Sequence, residues 1–118
     1  MFTISFLNSK IEYYWNNLKA VNKDFGSKLA KKLSQRKDEL ASLNDAQELL
    51  DCGIDNPHML RENFDGCIGW DLTANIRLIL RIQVKFDENT IKNLSTFTNI
   101  EIEGVIDYHG GKTKWIIH

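Results

Sequence analysis

The sequence predicts a layered α+β fold, and three observations carry that reading. An alternating strand opens the chain, two stretches of helical spacing follow, and from about Ile68 the apolar residues recur with period two. In the first strand Phe2, Ile4 and Phe6 alternate with Thr3 and Ser5. Ser9 followed by Glu12 is a capping-box signature, after which Ile11, Tyr14, Trp15 and Leu18 line one face of a helix over about residues 9–20. Phe25, Leu29, Leu33, Leu40 and Leu43 mark a longer second helix ending near Asn44, with Lys28, Lys31, Lys32, Arg36 and Lys37 on its other faces. A short helical turn follows from Asp45 to Asp51, closed by Gly53 and Pro57, and a loop leads to about Gly66.

The period-two region begins as a hairpin. Ile68, Trp70 and Leu72 form one strand, Thr73-Ala74-Asn75 the turn, and Ile76, Leu78, Leu80, Ile82, Val84 and Phe86 the buried side of the next. Its opposite side carries Arg77, Ile79, Arg81, Gln83 and Lys85, a basic row. A polar connection to Asn99 precedes a further strand in which Ile100, Ile102, Gly104, Ile106 and Tyr108 alternate with Glu101, Glu103, Val105, Asp107 and His109. After Gly110-Gly111, Trp115-Ile116-Ile117 forms a last short strand or docks as a tail. The expected architecture is an N-terminal strand and two helices packed on one face of an antiparallel sheet of about four to five strands. The other face, with the basic row, is left for a ligand.

The 118 residues suit one domain, 1–118, of ordinary globular composition. No basic leader or long uncharged apolar run is seen, which reads as a cytoplasmic protein with no membrane partner. Cys52 and Cys67 are expected to be free thiols. The net charge of −1 hides an asymmetry. Residues 1–37 hold eight Lys/Arg against two acids, and residues 38–71 hold nine acids against Arg61 alone. Among Cys52, His58, Cys67 and His109 the gaps of six, nine and forty-two residues contain no short ligand pair, so no metal is expected. Neither a glycine-rich phosphate loop nor a Ser/His/Asp set in hydrolase context is present, and no cofactor is expected.

Three local motifs remain. They are Pro57-His58-Met59-Leu60-Arg61, the hairpin Gly69-Trp70-Asp71-Leu72-Thr73-Ala74-Asn75-Ile76-Arg77-Leu78-Ile79, and Val105-Ile106-Asp107-Tyr108-His109. In this order, on this pattern of elements, they resemble the His-x-Leu-basic turn, the Trp-led hairpin and the terminal Asp-Tyr-His of the HigB-like group of the RelE/ParE toxins. The resemblance covers most of the chain from about residue 28. It implies the toxin of a bacterial toxin-antitoxin pair, a ribosome-dependent endoribonuclease that cleaves translated mRNA, with the ribosome and a helix-turn-helix, HigA-like antitoxin as partners. Two features depart from the group: the near-zero net charge, and nine residues beyond His109 that either line the site or cover it.

Metal-free RNA cleavage needs a base for the ribose 2′-OH, a cation for the developing phosphate charge and an acid for the leaving 5′-oxygen. Histidine suits both proton-transfer roles because its ordinary pKa, roughly 6.5, lies near working pH. Asp107 and His109 project to one side of their strand and Tyr108 to the other, while Arg77 and Arg81 share a side and match phosphate as guanidinium forks. The expected catalytic residues are His58, Asp107, Tyr108 and His109, with Arg61, Arg77, Arg81 and Lys85 binding RNA phosphate. Two other readings stay open: a ParE-like toxin that inhibits DNA gyrase by protein binding, and a non-catalytic relic that retains only antitoxin binding.

Overall fold

The computed structural model describes residues 1–118. Strand β1 (Thr3–Phe6) leads into α1 (Ser9–Asn16), α2 (Leu18–Phe25), α3 (Ser27–Ala41) and the short α4 (Ala46–Asp51). Then come β2 (His58–Met59), β3 (Cys67–Asp71), β4 (Ile76–Arg81), β5 (Asn99–His109) and β6 (Lys112–Ile117). The sheet runs β1-β5-β4-β3-β2, with β6 also paired to β5. It is mixed rather than antiparallel, because β1 lies parallel to β5 while the other pairs are antiparallel. No helix is long and apolar enough to cross a membrane.

The expected first helix is two helices. Asn17 leaves helical geometry at φ −133°, ψ 73°, and its side chain turns back to the Tyr13 carbonyl at 2.7 Å. A second break falls at Gly26, whose φ of +102° suits a residue without Cβ, so Phe25 closes α2 rather than opening the long helix. The N-cap of α1 is Asn8, not Ser9: its Oδ1 accepts from Ile11 N at 3.0 Å. Asp45 caps α4 in the same way, accepting from Glu48 N at 2.9 Å.

Helices and sheet meet in one cluster. Ile11, Trp15, Val21, Leu29, Leu33, Leu40 and Leu49 pack on Ile68, Trp70, Leu78, Leu80, Ile100, Ile102 and Val105. Arg36, expected on a helix face away from the apolar stripe, is 1% exposed and ties α3 to the hairpin. Its Nε donates to the Asp71 carbonyl at 3.2 Å, it pairs with Glu39 and Asp55, and its guanidinium lies 5.3 Å from the Trp70 ring centre. Burying that charge is tolerable because every contact answers it. Lys37 likewise reaches the Trp15 carbonyl at 2.6 Å.

The expected long second hairpin strand stops early. β4 ends at Arg81, and Ile82 N and Gln83 N both donate to the Gly66 carbonyl instead of extending a ladder. Lys85 therefore sits in an irregular, exposed segment and belongs to no row, and Val84 is 87% exposed rather than buried. Conversely, the loop expected before Gly66 contains β2, whose His58 and Met59 pair with Gly69 and Ile68.

The largest departure is in β5. Ile79 pairs with Gly104 but Leu80 pairs with Ile102, so Glu103 is an extra residue and the alternation reverses across it. Ile100, Ile102 and Val105 face the helices, whereas Ile106 and Tyr108 face the other way and join a second cluster with Cys67 and Ile79. Leu60, Phe64 and Trp115 also pack on that cluster. The non-helical face is thus partly covered, since the segment after β2 brings Phe64 across to Trp115, with ring centres 5.9 Å apart.

Gly104 is what permits the bulge. It holds φ +142°, and a Cβ there would lie 2.1 Å from the Ile117 carbonyl oxygen and 3.0 Å from Trp115 Cζ3. Gly104→Ala is expected to destabilise the fold by about 1–3 kcal/mol, the usual cost of a strained backbone position. Chemical denaturation measures this, and an unchanged midpoint would contradict the bulge geometry.

Candidate functional site

Register builds the site from four strands. On the face away from the helices, Asp71, Arg77, Ile106 and Trp115 stand side by side across β3, β4, β5 and β6. Asp71 Oδ1 accepts from Arg77 Nε at 2.9 Å, which orients the guanidinium and leaves its two Nη groups without a protein partner. That guanidinium lies 4.0 Å from the ring centre of Tyr108. Gly69 makes room beneath, because a Cβ there would come within 3.3 Å of Arg77 Cδ. Arg77 is consequently held at 20% side-chain exposure, fixed on one side and open on the other.

Tyr108 sits just beyond the β4 ladder. The last register pair is Ile76 with Asp107, after which Tyr108 N donates to the Asn75 carbonyl at 2.8 Å. Asp107 and His109 project to the opposite side from Tyr108, as expected, with His109 Nδ1 3.9 Å from Asp107 Oδ1. The bulge, however, places them on the helix side of the sheet, away from Arg77. Asp107 and His109 thus share a side with each other, as expected, but not with Arg77. Asp107 Oδ1 is buried without a hydrogen-bond partner, and His109, 73% exposed, reaches solvent at the strand end.

His58 shares the Arg77 face, since its neighbours Met59 and Leu60 pack on the helix-side and opposite clusters respectively. It lies two strands from Arg77 and three from Tyr108 in the sheet order, and is offset along the strands as well, so more than roughly 10 and 14 Å away at the usual strand spacing. Its Nδ1 is 2.8 Å from the Asn56 carbonyl oxygen, which can only accept, so Nδ1 carries a proton there and Nε2 is the free nitrogen.

Three expected phosphate ligands are placed elsewhere. Arg81 is occupied: Nε donates to Glu103 Oε1 at 2.7 Å, and Nη1 to the carbonyls of Asp65, Gln83 and Val84 at 3.0–3.1 Å. It ties the two segments flanking β3 and β4 to the bulge. Arg61 lines a separate cleft of about 460 Å³ shared with Glu62, Asp65, Asp87 and Glu88, whose carboxylates repel phosphate. Lys85 is solvated, as above. Asp71 was not singled out from the sequence, although a hairpin turning at 73–75 implies an Asp71–Arg77 cross-strand pair. No cluster of His, Cys, Asp and Glu is arranged to hold a metal ion.

Cys52 packs on the helix-side cluster and Cys67 on the opposite one, so the two thiols are separated by the sheet. Burial pushes the Cys67 thiol up from 9.0 to about 12, against a smaller opposing pull from Arg81.

No family model matches the sequence, and no curated protein sequence matches it. Solved structures do match. The YoeB-YefM complex from Staphylococcus aureus aligns over 92% of this chain and 98% of that one, at 20% identity and a TM-score of 0.51. The heterotetrameric YoeB-YefM toxin-antitoxin complex from the same organism gives 92%, 98%, 19% and 0.51. The Staphylococcus aureus YoeB dimer gives 92%, 97%, 18% and 0.52. The chain has a YoeB-like fold. The α+β class expected from the sequence is the one found, and at this identity the likeness establishes architecture alone.

Two measurements probe these placements. Arg81→Met is expected to lower the melting temperature clearly more than Arg77→Met, because it leaves Glu103 and three loop carbonyls unanswered. Equal effects would remove Arg81's structural assignment. Because the folded Cys67 pKa is raised, its contribution is full below pH 9 and declines as pH rises toward 12. Between pH 8 and 10.5 the parent should therefore lose more stability than Cys67→Ala, and parallel losses would contradict the buried thiol.

Proposed function

We propose that the protein is the toxin of a bacterial toxin-antitoxin pair and acts as a metal-independent endoribonuclease on translated mRNA. The observation that carries this reading is the Arg77–Tyr108 pair at 4.0 Å, placed at the open end of β5 with Asp107 and His109 adjoining it at the strand end. A guanidinium fixed at Nε by Asp71 presents its Nη fork to a phosphate bidentately. RNA lying across the tip of the β5–β6 hairpin then meets Arg77 and Tyr108 from one side of the sheet and His109 from the other. His109 and the Tyr108 hydroxyl exchange protons with the ribose 2′-OH and the leaving 5′-oxygen, and Arg77 offsets the charge that builds on the phosphate. Asp107 orients His109. His58, at roughly 10 Å or more from this centre, serves RNA placement rather than proton transfer.

The likeness to YoeB supports the toxin reading through the fold, and the YoeB-YefM complexes support an antitoxin partner for this chain. The assignment to the HigB-like group, with a helix-turn-helix antitoxin and cleavage on the ribosome, rests on the three motifs that end in Asp107-Tyr108-His109. The same site speaks against a pure gyrase binder, which has no use for an oriented arginine beside an unbonded tyrosine hydroxyl.

Induction of the protein alone should arrest growth, with relief on co-expression of the adjacent antitoxin. With ribosomes and message supplied, His109→Gln and Tyr108→Phe should each lower cleavage by roughly a hundred- to ten-thousand-fold while ribosome pelleting persists. His58→Gln should cost far less. Full cleavage by His109→Gln sinks the assigned chemistry, and growth arrest without any cut message transfers the assignment to the gyrase-inhibitor reading.

A further inference from the structure

The residues after His109 form a strand, and one side of it is aromatic. Trp115 stands in the same cross-strand row as Arg77, separated only by Ile106, hence about 10 Å away at two strand spacings. Phe64 meets the indole edge-on with centres 5.9 Å apart, and Gly104 lies against Cζ3, so the ring is fixed from beneath and from the side. His118 stacks on the ring in parallel, with centres 3.8 Å apart and an interplanar angle of 6°. His118 is exposed and its ring makes no hydrogen bond within the protein. Trp15 and Trp70, by contrast, are buried in the core.

A parallel ring at that separation is how a nucleobase sits on an aromatic platform. We infer that Trp115 is a base-stacking residue for single-stranded RNA, and that the His118 imidazole holds the place on the indole that a nucleobase takes when a neighbouring phosphate reaches Arg77. The platform is rigid because Phe64 and the β5 bulge set it, whereas its cover is a single unbonded ring. A base offers more overlap than an imidazole, so the exchange favours RNA, and purines over pyrimidines. This inference rests on the reading of this sheet face as an RNA surface.

The test uses the full chain and a hexa-adenylate RNA carrying 2′-O-methyl groups, which bars cleavage whatever group acts as base. NMR follows the three indole N–H signals and Arg77 Nε–H through one titration, with Trp115→Phe assigning the Trp115 signal. The expected result is a shift at Trp115 and none at Trp15 or Trp70. An oligomer with abasic sugars at every position should leave Trp115 unshifted. Trp115→Phe, which keeps a ring against Phe64, should weaken binding by about fivefold or more, while His118→Ala should leave it unchanged or tighten it. A Trp115 signal that stays still with hexa-adenylate, whether or not Arg77 responds, overturns the inference, as does an equal shift with the abasic oligomer. Cleavage plays no part in the readout. A responding Trp115 in a protein that cuts no message leaves the platform standing and removes the nuclease, and an active nuclease with a silent Trp115 does the reverse.

Discussion

The one-residue bulge at Glu103–Gly104 is the constraint on which the rest of this structure depends. β5 is the strand that touches most of the sheet: it pairs with β1 and β6 along one edge and with β4 along the other. A strand without the bulge would keep Ile100, Ile102, Gly104, Ile106 and Tyr108 on one side, burying Tyr108 toward the helices and turning Asp107 and His109 toward Arg77. Inserting Glu103 exchanges those roles at the point where the sheet passes from its core half to its functional half. The first half of β5 can thus build the core with isoleucines, and the second can bring a tyrosine onto a guanidinium, within a single strand.

The displaced residue is used. Glu103 turns its carboxylate to Arg81, whose other donors gather the carbonyls of Asp65, Gln83 and Val84. Because backbone carbonyls in irregular segments find no ladder partners, a guanidinium with several donors is an efficient way to satisfy them. The segment held in this way brings Phe64 over Cys67, Ile79 and Ile106, which closes the far part of the non-helical face. What stays open is the end near Arg77 and Tyr108. The same two arginines that look equivalent in the sequence are therefore placed differently: Arg81 closes the face and Arg77 keeps its Nη groups free on the open part of it.

Much of this was legible in the residues and some was not. The helical stripes, the short helix over 45–51, the hairpin turning at Thr73-Ala74-Asn75 and the extent of β5 all followed from local periodicity and turn chemistry, which is why they agree with the structure. The break at Asn17 was hidden because Leu18 and Val21 continue the apolar spacing across it, and β2 was hidden because two residues show no period. The bulge was invisible for a deeper reason. Ile106 and Tyr108 fit a continued alternation as well as they fit its reversal, and only the packing of Gly104 against the Ile117 carbonyl and Trp115 decides between them. The residue types of the candidate site could be read from motifs, but which of them share a face could not.

A net charge of −1 does not weigh against RNA engagement as heavily as the total implies. Screening at physiological salt confines exposed charges to about 8 Å, so a phosphate at Arg77 responds to its immediate neighbours and little to the acidic segment beyond. Those neighbours include Asp71, which offsets part of the Arg77 charge while fixing its direction. The acids gathered around Arg61 line a different cleft. An arginine oriented by a carboxylate gains geometric selectivity at the expense of long-range pull, and binding of that kind must draw on short-range contacts such as stacking and bidentate hydrogen bonds. On the proposed reading, encounter with a large RNA surface falls to the lysines of α2 and α3, among them the exposed Lys28 and half-buried Lys32, which flank Thr73 and Ala74 at the hairpin turn. In that reading attraction belongs to the helical layer and recognition to the opposite sheet face, the two joined by the hairpin that carries Asp71 and Arg77.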